Sequence, residues 1–275
     1  MGKSTFCSTL IQHCQNIGRS VHLLNLDPAA TSFEIEPVKD IRDLCSLEEV
    51  MQELDLGPNG GLIYCMEYLL DNLDWLEEDL SCYDNDFLLV DCPGQIELYT
   101  HYPIMQQLVK FFDQQLGYRC VAAYLMEGQF VQDHSKFFAG TLTALATMVQ
   151  LEIPHINILT KMDLYLQLHK EHQQLDDEEA EDLFIEQELG RFLDPDPTLL
   201  ASKAAAVKSK HERLNAAVAD LIDEFGIVSF IPLNINREES IGRILLHIDT
   251  AVQYAENVEP KLKESREEEE EEDEE

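Results

Sequence analysis

Four stretches of this sequence hold residue types that suit phosphate and purine chemistry. Gly2-Lys3-Ser4-Thr5 stands at the head of a helical stretch, where unpaired N–H groups and the positive end of the helix dipole can hold a phosphate. In the pattern GxxxxGK[ST] the lysine reaches the outer phosphates and the next hydroxyl reaches Mg²⁺; Lys3 and Ser4 are placed for those roles. Phe87-Leu88-Leu89-Val90-Asp91 is an apolar run ending in an acid, followed by Cys92-Pro93-Gly94-Gln95. An aspartate there can hold Mg²⁺, Gly94 can offer its N–H to an outer phosphate, and Gln95 can orient an attacking water. Asn25-Leu26-Asp27-Pro28 repeats the arrangement one strand earlier, so Asp27 is a candidate for water activation or metal contact, with a turn cap before proline as the plain alternative. Thr160-Lys161-Met162-Asp163 fits [NT]KxD. Its aspartate can accept from N1–H and the exocyclic amine of guanine, a donor pair adenine lacks, while Lys161 lies along the purine and Thr160 braces the loop.

Singly, each stretch has an ordinary explanation as a turn, cap or solvated loop; in order, each at the end of an expected strand, they support one another. The elements that must position them are also legible. Val21 to Asp27, Phe87 to Asp91, Cys120 to Met126, Ile156 to Thr160 and Val228 to Leu233 are near-continuous apolar runs, as strands read when helices cover both faces of a parallel sheet. Helical periodicity predicts helices over Lys3 to Ile17, Ile41 to Leu54, Leu62 to Leu80, Leu98 to Gln115, Ser135 to Leu151 and Ser240 to Glu256. The fold class is therefore α/β, a P-loop NTPase-like, mostly parallel sheet with helices on both faces. One domain is expected over residues 1–258, with a helical insertion over about 164–226, and an acidic, disordered tail over 259–275. The first glycine of the phosphate pattern, its four linking residues and the strand before them would lie ahead of Met1, so the motif is expected to be only half present.

Charge narrows the partners. The 275 residues hold 19 basic and 54 acidic side chains, a net charge of −35. Glu264 to Glu275 contributes −9 of that, ten acids against Arg266. Such a field repels phosphate backbones and anionic lipid, which argues against general nucleic-acid or membrane-surface binding and favours basic partners. No apolar run approaches the ~18 residues a membrane span needs. Seven cysteines without CxxC pairing read as buried thiols in a reducing compartment, with neither disulfide nor zinc expected. His101 and His134 read as caps or surface residues, and Cys92 as a packing thiol.

Leu56-Gly57-Pro58-Asn59-Gly60-Gly61, with Asn25 to Ala30, Asp91 to Leu98 and Thr160 to Asp163, resembles the GPN-loop GTPases from Gly2 to about Tyr254. The resemblance implies a Mg²⁺-dependent GTPase working as a dimer, in which Gly57-Pro58-Asn59 reaches toward the partner's nucleotide and Asn59 helps stabilise the transferred phosphate. It further implies assembly and nuclear import of RNA polymerase II, with a homodimer or a heterodimer with a GPN-loop GTPase 1 type subunit, RNA polymerase II subunits as clients, and a cytoplasmic location with passage to the nucleus. By composition alone Gly57 to Gly61 is a surface turn. The competing reading is a nucleotide-incompetent binding or scaffold module that keeps the partner surfaces but lacks half of the phosphate cradle.

Overall fold

A glycine in left-handed conformation starts the first helix. Gly2, at φ 80°, caps α1 (Lys3–Asn16), a backbone state that costs a side-chain-bearing residue about 1 kcal/mol. The helix ends at Gly18 (φ 76°), with Gly18 N–H donating to Gln15 and Arg19 N–H to Cys14, the two bonds of a Schellman stop. In this computed structural model, residues 2–83, 86–173, 185–195, 217, 220–221 and 228–254 are described.

After α1 come β1 (Val21–Asn25), β2 (Lys39–Asp40), α2 (Leu47–Glu53), α3 (Pro58–Asp71), α4 (Leu73–Leu80) and β3 (Phe87–Asp91). They are followed by α5 (Glu97–Thr100), α6 (Ile104–Lys110), β4 (Ala122–Glu127), α7 (His134–Leu151) and β5 (His155–Thr160). The last described elements are α8 (Met162–Gln173), α9 (Gly190–Leu193), β6 (Phe230–Pro232) and α10 (Glu238–Ala251). Every strand pair is parallel, as the apolar runs require, and helices cover both faces. The sheet is in two pieces, ordered β2-β1-β3 and β4-β5-β6. Asn25 lies opposite Asp91 in the first piece, and Glu127 opposite Thr160 in the second, which brings the ends of all four strands to one edge of each half.

Helix α1 and helix α10 bridge the halves on one face. Phe6, Leu10, Ile11 and Ile244 pack in one cluster with Leu23 of the first half and Leu125 and Ile158 of the second. On the opposite face Leu24, Leu62, Met66, Leu98, Leu108 and Phe111 form a second cluster. Each fully buried Leu or Met contributes about 2 kcal/mol of transfer free energy, so the halves are held by their shared helices without pairing strand to strand.

Boundaries moved where local chemistry intervened. The helix expected over Leu62 to Leu80 starts at Pro58, whose fixed φ and missing N–H suit a first helical position. It breaks at Asn72, whose side-chain amide donates to the Tyr68 carbonyl. The helix expected over Ile41 to Leu54 splits into a short 3₁₀ turn, Ile41–Asp43, and α2. That over Leu98 to Gln115 is cut at Pro103 and ends in a π turn over Phe111–Gln115. Strand β2 was missed because two residues give no periodicity; Asp40 is held there by Asn25 and Arg42. Of the insertion expected over about 164–226, α8, a π turn at Ile185–Leu189 and α9 are present. The tail 259–275 and most of the rest of the insertion lie outside the described residues.

His155 opens β5 with neither ring nitrogen meeting a hydrogen-bond partner. Burial pushes its pKa down from 6.5 to about 4, an effect that Asn157 alongside partly offsets. The unfolded chain takes up a proton near pH 6.5 while the folded chain does not until about 4, so the stability is full above 6.5 and is lost as pH falls. Between pH 7 and pH 5 the loss is roughly 2 kcal/mol. Urea titrations at the two pH values should show it in the wild type and a flatter response in His155→Phe; equal slopes would contradict it.

Candidate functional site

The ends of β1 and β3 and the start of α1 converge. Ladder pairing of Asn25 with Asp91 extends one step further, with Leu26 N–H donating to the Asp91 carbonyl at 2.8 Å. Asp27 is thereby carried past the sheet edge. Its conformation is fixed twice: its N–H donates to Asn25 Oδ1 at 3.0 Å, and its Oδ1 accepts from Ala29 N–H at 3.0 Å. The turn-cap role and a role in chemistry are therefore not exclusive, since Oδ2 faces Lys3 Nζ at 3.7 Å.

Asp91 is buried at 2% exposure. Its Oδ2 accepts a 2.6 Å hydrogen bond from Ser4 Oγ, while Oδ1 is buried with no partner. Burial raises its pKa above the usual carboxylate range, and the Ser4 hydrogen bond and Lys3 work against that shift. A Cβ placed on Gly94 would lie 3.4 Å from Lys3 Nζ, so glycine leaves the ammonium its room. Behind this loop Tyr99 donates to the Pro93 carbonyl at 2.7 Å. Burial pushes the Cys92 thiol up to about 12, which keeps it protonated and supports its reading as a packing thiol.

The structure thus brings together Lys3, Ser4, Asp27, Asp91 and Gly94, with Gln95 half-buried next in sequence. Thr5 is exposed as the third residue of α1 and Gly2 is exposed at its cap. The oxygens of Ser4, Asp27 and Asp91 are the hard donors that Mg²⁺ takes, and the unpartnered Oδ1 of Asp91 is an open coordination valence beside the serine hydroxyl. The donor set fits that ion.

The purine-binding candidate sits at the corresponding edge of the second half-sheet. Lys161 takes a left-handed φ of 59°, and its ammonium pairs with Glu127 Oε1 at 2.8 Å, which holds the Glu127 carboxyl below its ordinary range. Thr160 Oγ1 donates to the Met126 carbonyl at 3.2 Å, bracing the loop as expected. Met162 N–H donates to the Leu233 carbonyl, and Asn234 N–H donates to Ser240 Oγ. The Met162 side chain is buried at 1%, so what it offers a ligand is backbone. Asp163 is half-exposed in the first turn of α8. Gly128 is required behind this loop: a Cβ there would meet Met162 Sδ at 2.9 Å and the Thr160 carbonyl at 3.3 Å.

Gly57, Pro58 and Asn59 are apart from both groups, exposed at the start of α3 and outside the cavity that Lys3, Gly94 and Glu127 line. Two contributors escaped the sequence reading. Glu127 orients Lys161, and its signal was an acid at the carboxyl end of an apolar run whose end was set one residue early. Ser240 fixes the loop after β6 from the next helix, a tertiary contact with no local signature.

Comparison with known proteins adds the following. A family model described as "conserved hypothetical ATP binding protein" matches residues 1–254. A GPN-loop GTPase 3 of Mycosarcoma maydis is 53% identical over 261 residues, 94% of this chain and 90% of that one. Those of Schizosaccharomyces pombe and Saccharomyces cerevisiae are 49% and 47% identical, over 94% of this chain and 90% and 91% of theirs. Among solved structures, a GTPase in apo form from Pyrococcus abyssi superposes with a TM-score of 0.66 at 20% identity, covering 91% of this chain and 92% of that one, a likeness of fold.

Proposed function

The chain belongs to the GPN-loop GTPase family, and from that premise we propose that it hydrolyses GTP to GDP and phosphate in a Mg²⁺-dependent reaction at the Lys3, Asp27 and Asp91 cluster. The observation that carries this reading is the meeting of the Lys3 ammonium, the Ser4 hydroxyl and a buried, half-unpartnered Asp91 carboxylate beside Gly94 at one sheet edge. Ligands bind open α/β sheets outside the carboxyl ends of their strands.

In this reading Lys3 holds the outer phosphates and Gly94 leaves room for them. Ser4 and Asp91 would hold Mg²⁺, which when bound neutralises phosphate charge. Gln95 orients the attacking water, whose oxygen bonds to the γ phosphorus as the bond to the bridging oxygen breaks. Asp27, held by its two backbone hydrogen bonds, accepts the proton or contacts the metal's water shell. Thr160, Lys161 and Asp163 receive guanine. Asp163→Ala should reduce the preference for GTP over ATP by about 150-fold, the worth of two hydrogen bonds to a charged acceptor at roughly 1.5 kcal/mol each; competition binding reads it, and an unchanged ratio would move the base site elsewhere.

The finer family role is part of the proposal. Asn59 acts across a dimer interface, either between like subunits or with a GPN-loop GTPase 1 type subunit. Its support is the exposure of Gly57 to Asn59 together with Tyr64 and Tyr68, stacked 6.3 Å apart on the same helix and about 40% exposed. Clients are RNA polymerase II subunits, met in the cytoplasm and accompanied to the nucleus, for which the support is the family and a charge of −35 suited to basic surfaces. Phosphate release under single-turnover conditions with Mg²⁺ tests the enzyme reading. Release from GTP that falls in Asp27→Asn while GTP binding persists is the expected result, and a folded wild-type chain that neither binds GTP nor releases phosphate would leave the scaffold reading.

A further inference from the structure

We propose that Arg42 is a positioning residue: together with Asn25 and Asp40 it clamps the turn from Asp27 to Thr31 and so aims the Asp27 carboxylate at the attacking water. The proposal rests on the assignment of Asp27 to water activation and adds the group that holds it in place.

The turn is anchored at both ends. Asn25, fully buried at the end of β1, holds the near end. Its Nδ2 donates to the Asp27 carbonyl at 3.2 Å and to Asp40 Oδ1 at 2.8 Å, while its Oδ1 accepts from Asp27 N–H. Arg42 holds the far end: Nη1 donates to the Ala30 carbonyl at 3.0 Å, and Nε and Nη2 donate to Asp40 Oδ2 at 3.0 and 2.6 Å. The guanidinium also stands 5.1 Å from the centre of the Phe33 ring, which packs against the core under α1. Between the anchors lie the bonds that set Asp27 itself, from Ala29 N–H to its Oδ1 at 3.0 Å and from Ala30 N–H to its carbonyl at 3.1 Å. Ala30 therefore meets Asp27 with its N–H and Arg42 with its carbonyl. The position of the guanidinium reaches the carboxylate through one residue.

Stability gives little reason for this arrangement. Asp40 is 8% exposed and the Arg42 side chain 34%, and a partly buried ion pair gains little over well-packed apolar side chains of similar volume. A planar fork that joins a carboxylate to a carbonyl instead fixes direction, which the single ammonium of lysine does not. The phosphate side is served separately, since Lys3 faces Asp27 and Arg42 is paired with Asp40. Loss of the fork should therefore slow the chemistry and spare nucleotide binding.

Arg42→Lys keeps a cation for Asp40 and gives up the fork. Phosphate release in a single turnover at saturating GTP and Mg²⁺, nucleotide titration, melting curves and amide exchange by NMR are read on the full chain. Release should slow about tenfold, within the roughly hundredfold that a misplacement of about 1 Å costs. GTP affinity and melting temperature should stay close to wild type, and exchange should quicken at Ala29 and Ala30 but not in β5. In the Asp27→Asn background the same substitution should slow release by less than about twofold, because the group it aims is gone. Arg42→Gln, which also lacks the fork, is the second variant should the lysine form melt early, and the same outcomes apply to it.

Losses that multiply in the double variant would make Arg42 a structural residue and overturn the proposal. So would wild-type release by a folded Arg42→Lys chain, unchanged exchange at Ala29 and Ala30, or a fall in GTP affinity that matches the fall in rate. A wild-type chain that releases no phosphate would overturn the GTPase reading and the role of Arg42 with it, whereas wild-type release unaffected by Arg42→Lys would overturn the role of Arg42 alone.

Discussion

Replacing Lys3 with Ala should weaken GTP binding about a thousandfold. Lys3 is the cation beside two carboxylates, 3.7 Å from Asp27 and close enough to Gly94 that a Cβ there would crowd it. Its side chain is 30% exposed, so the relevant medium is that of a partly solvated site. A unit charge pair about 4 Å apart at an effective dielectric near 20 is worth about 4 kcal/mol, close to three decades in affinity. Without the ammonium, an incoming triphosphate faces Asp27 and Asp91 uncompensated, which adds to the loss. Lys3→Arg keeps the charge but not the compact, point-like shape, so it should recover only part of the affinity. A fluorescent-nucleotide titration reads the series, with circular dichroism confirming that each variant folds. A Lys3→Ala chain that binds as tightly as wild type would remove the phosphate site from this helix start.

Asp91→Asn should have effects of opposite sign on binding and on stability. The carboxyl is 2% exposed, one of its oxygens has no partner, and burial holds its pKa above the ordinary value. A carboxyl whose folded pKa is raised destabilises the fold above that pKa, where the chain must keep a buried charge, and the penalty fades as pH falls through it. The amide retains an acceptor for Ser4 Oγ and carries no charge, so at neutral pH the variant should melt at or above the wild-type temperature. The same change removes the hard anionic donor beside the Ser4 hydroxyl. Magnesium should then cease to improve nucleotide affinity, a loss of about two to three decades if one charge-assisted contact and its metal are forfeited together. Melting curves and titrations with and without Mg²⁺ check both halves. A clear drop in stability with Mg²⁺ dependence intact would mean that Asp91 is a structural residue.

What the sequence discloses follows the range of the forces involved. Strand positions were legible because a strand buried on both faces must be apolar throughout, and Phe87 to Asp91 matches residue for residue. The site residues at strand ends were legible for the same reason, since an Asp that follows four apolar residues can only emerge at an edge. Breaks decided by single side chains were not, as with the Asn72 amide turning back onto Tyr68. Nor was strand β2, held by the Asn25, Asp40 and Arg42 network across 15 residues of sequence. The half-buried residues of β3 and β4 could be seen only in three dimensions.

The two halves also put the candidate phosphate and purine residues on separate frames. Lys3, Asp27 and Asp91 belong to the β1 and β3 edge, and Lys161 and Asp163 to the β5 edge, with Lys3, Gly94 and Glu127 around one cavity between them. Helices α1 and α10 set their spacing through the core that spans both halves. A nucleotide occupying both groups would therefore bind the fold and not the unfolded chain, and would raise its melting temperature by mass action.

The central claim is tested most directly by equilibrium titration of the wild-type chain with a fluorescent GTP analogue in the presence and absence of Mg²⁺, displaced by unlabelled GTP or ATP. Saturable, Mg²⁺-strengthened binding that GTP reverses and ATP does not is the predicted result. A folded chain that shows no saturable binding, or one from which ATP displaces the analogue as well as GTP, would contradict it.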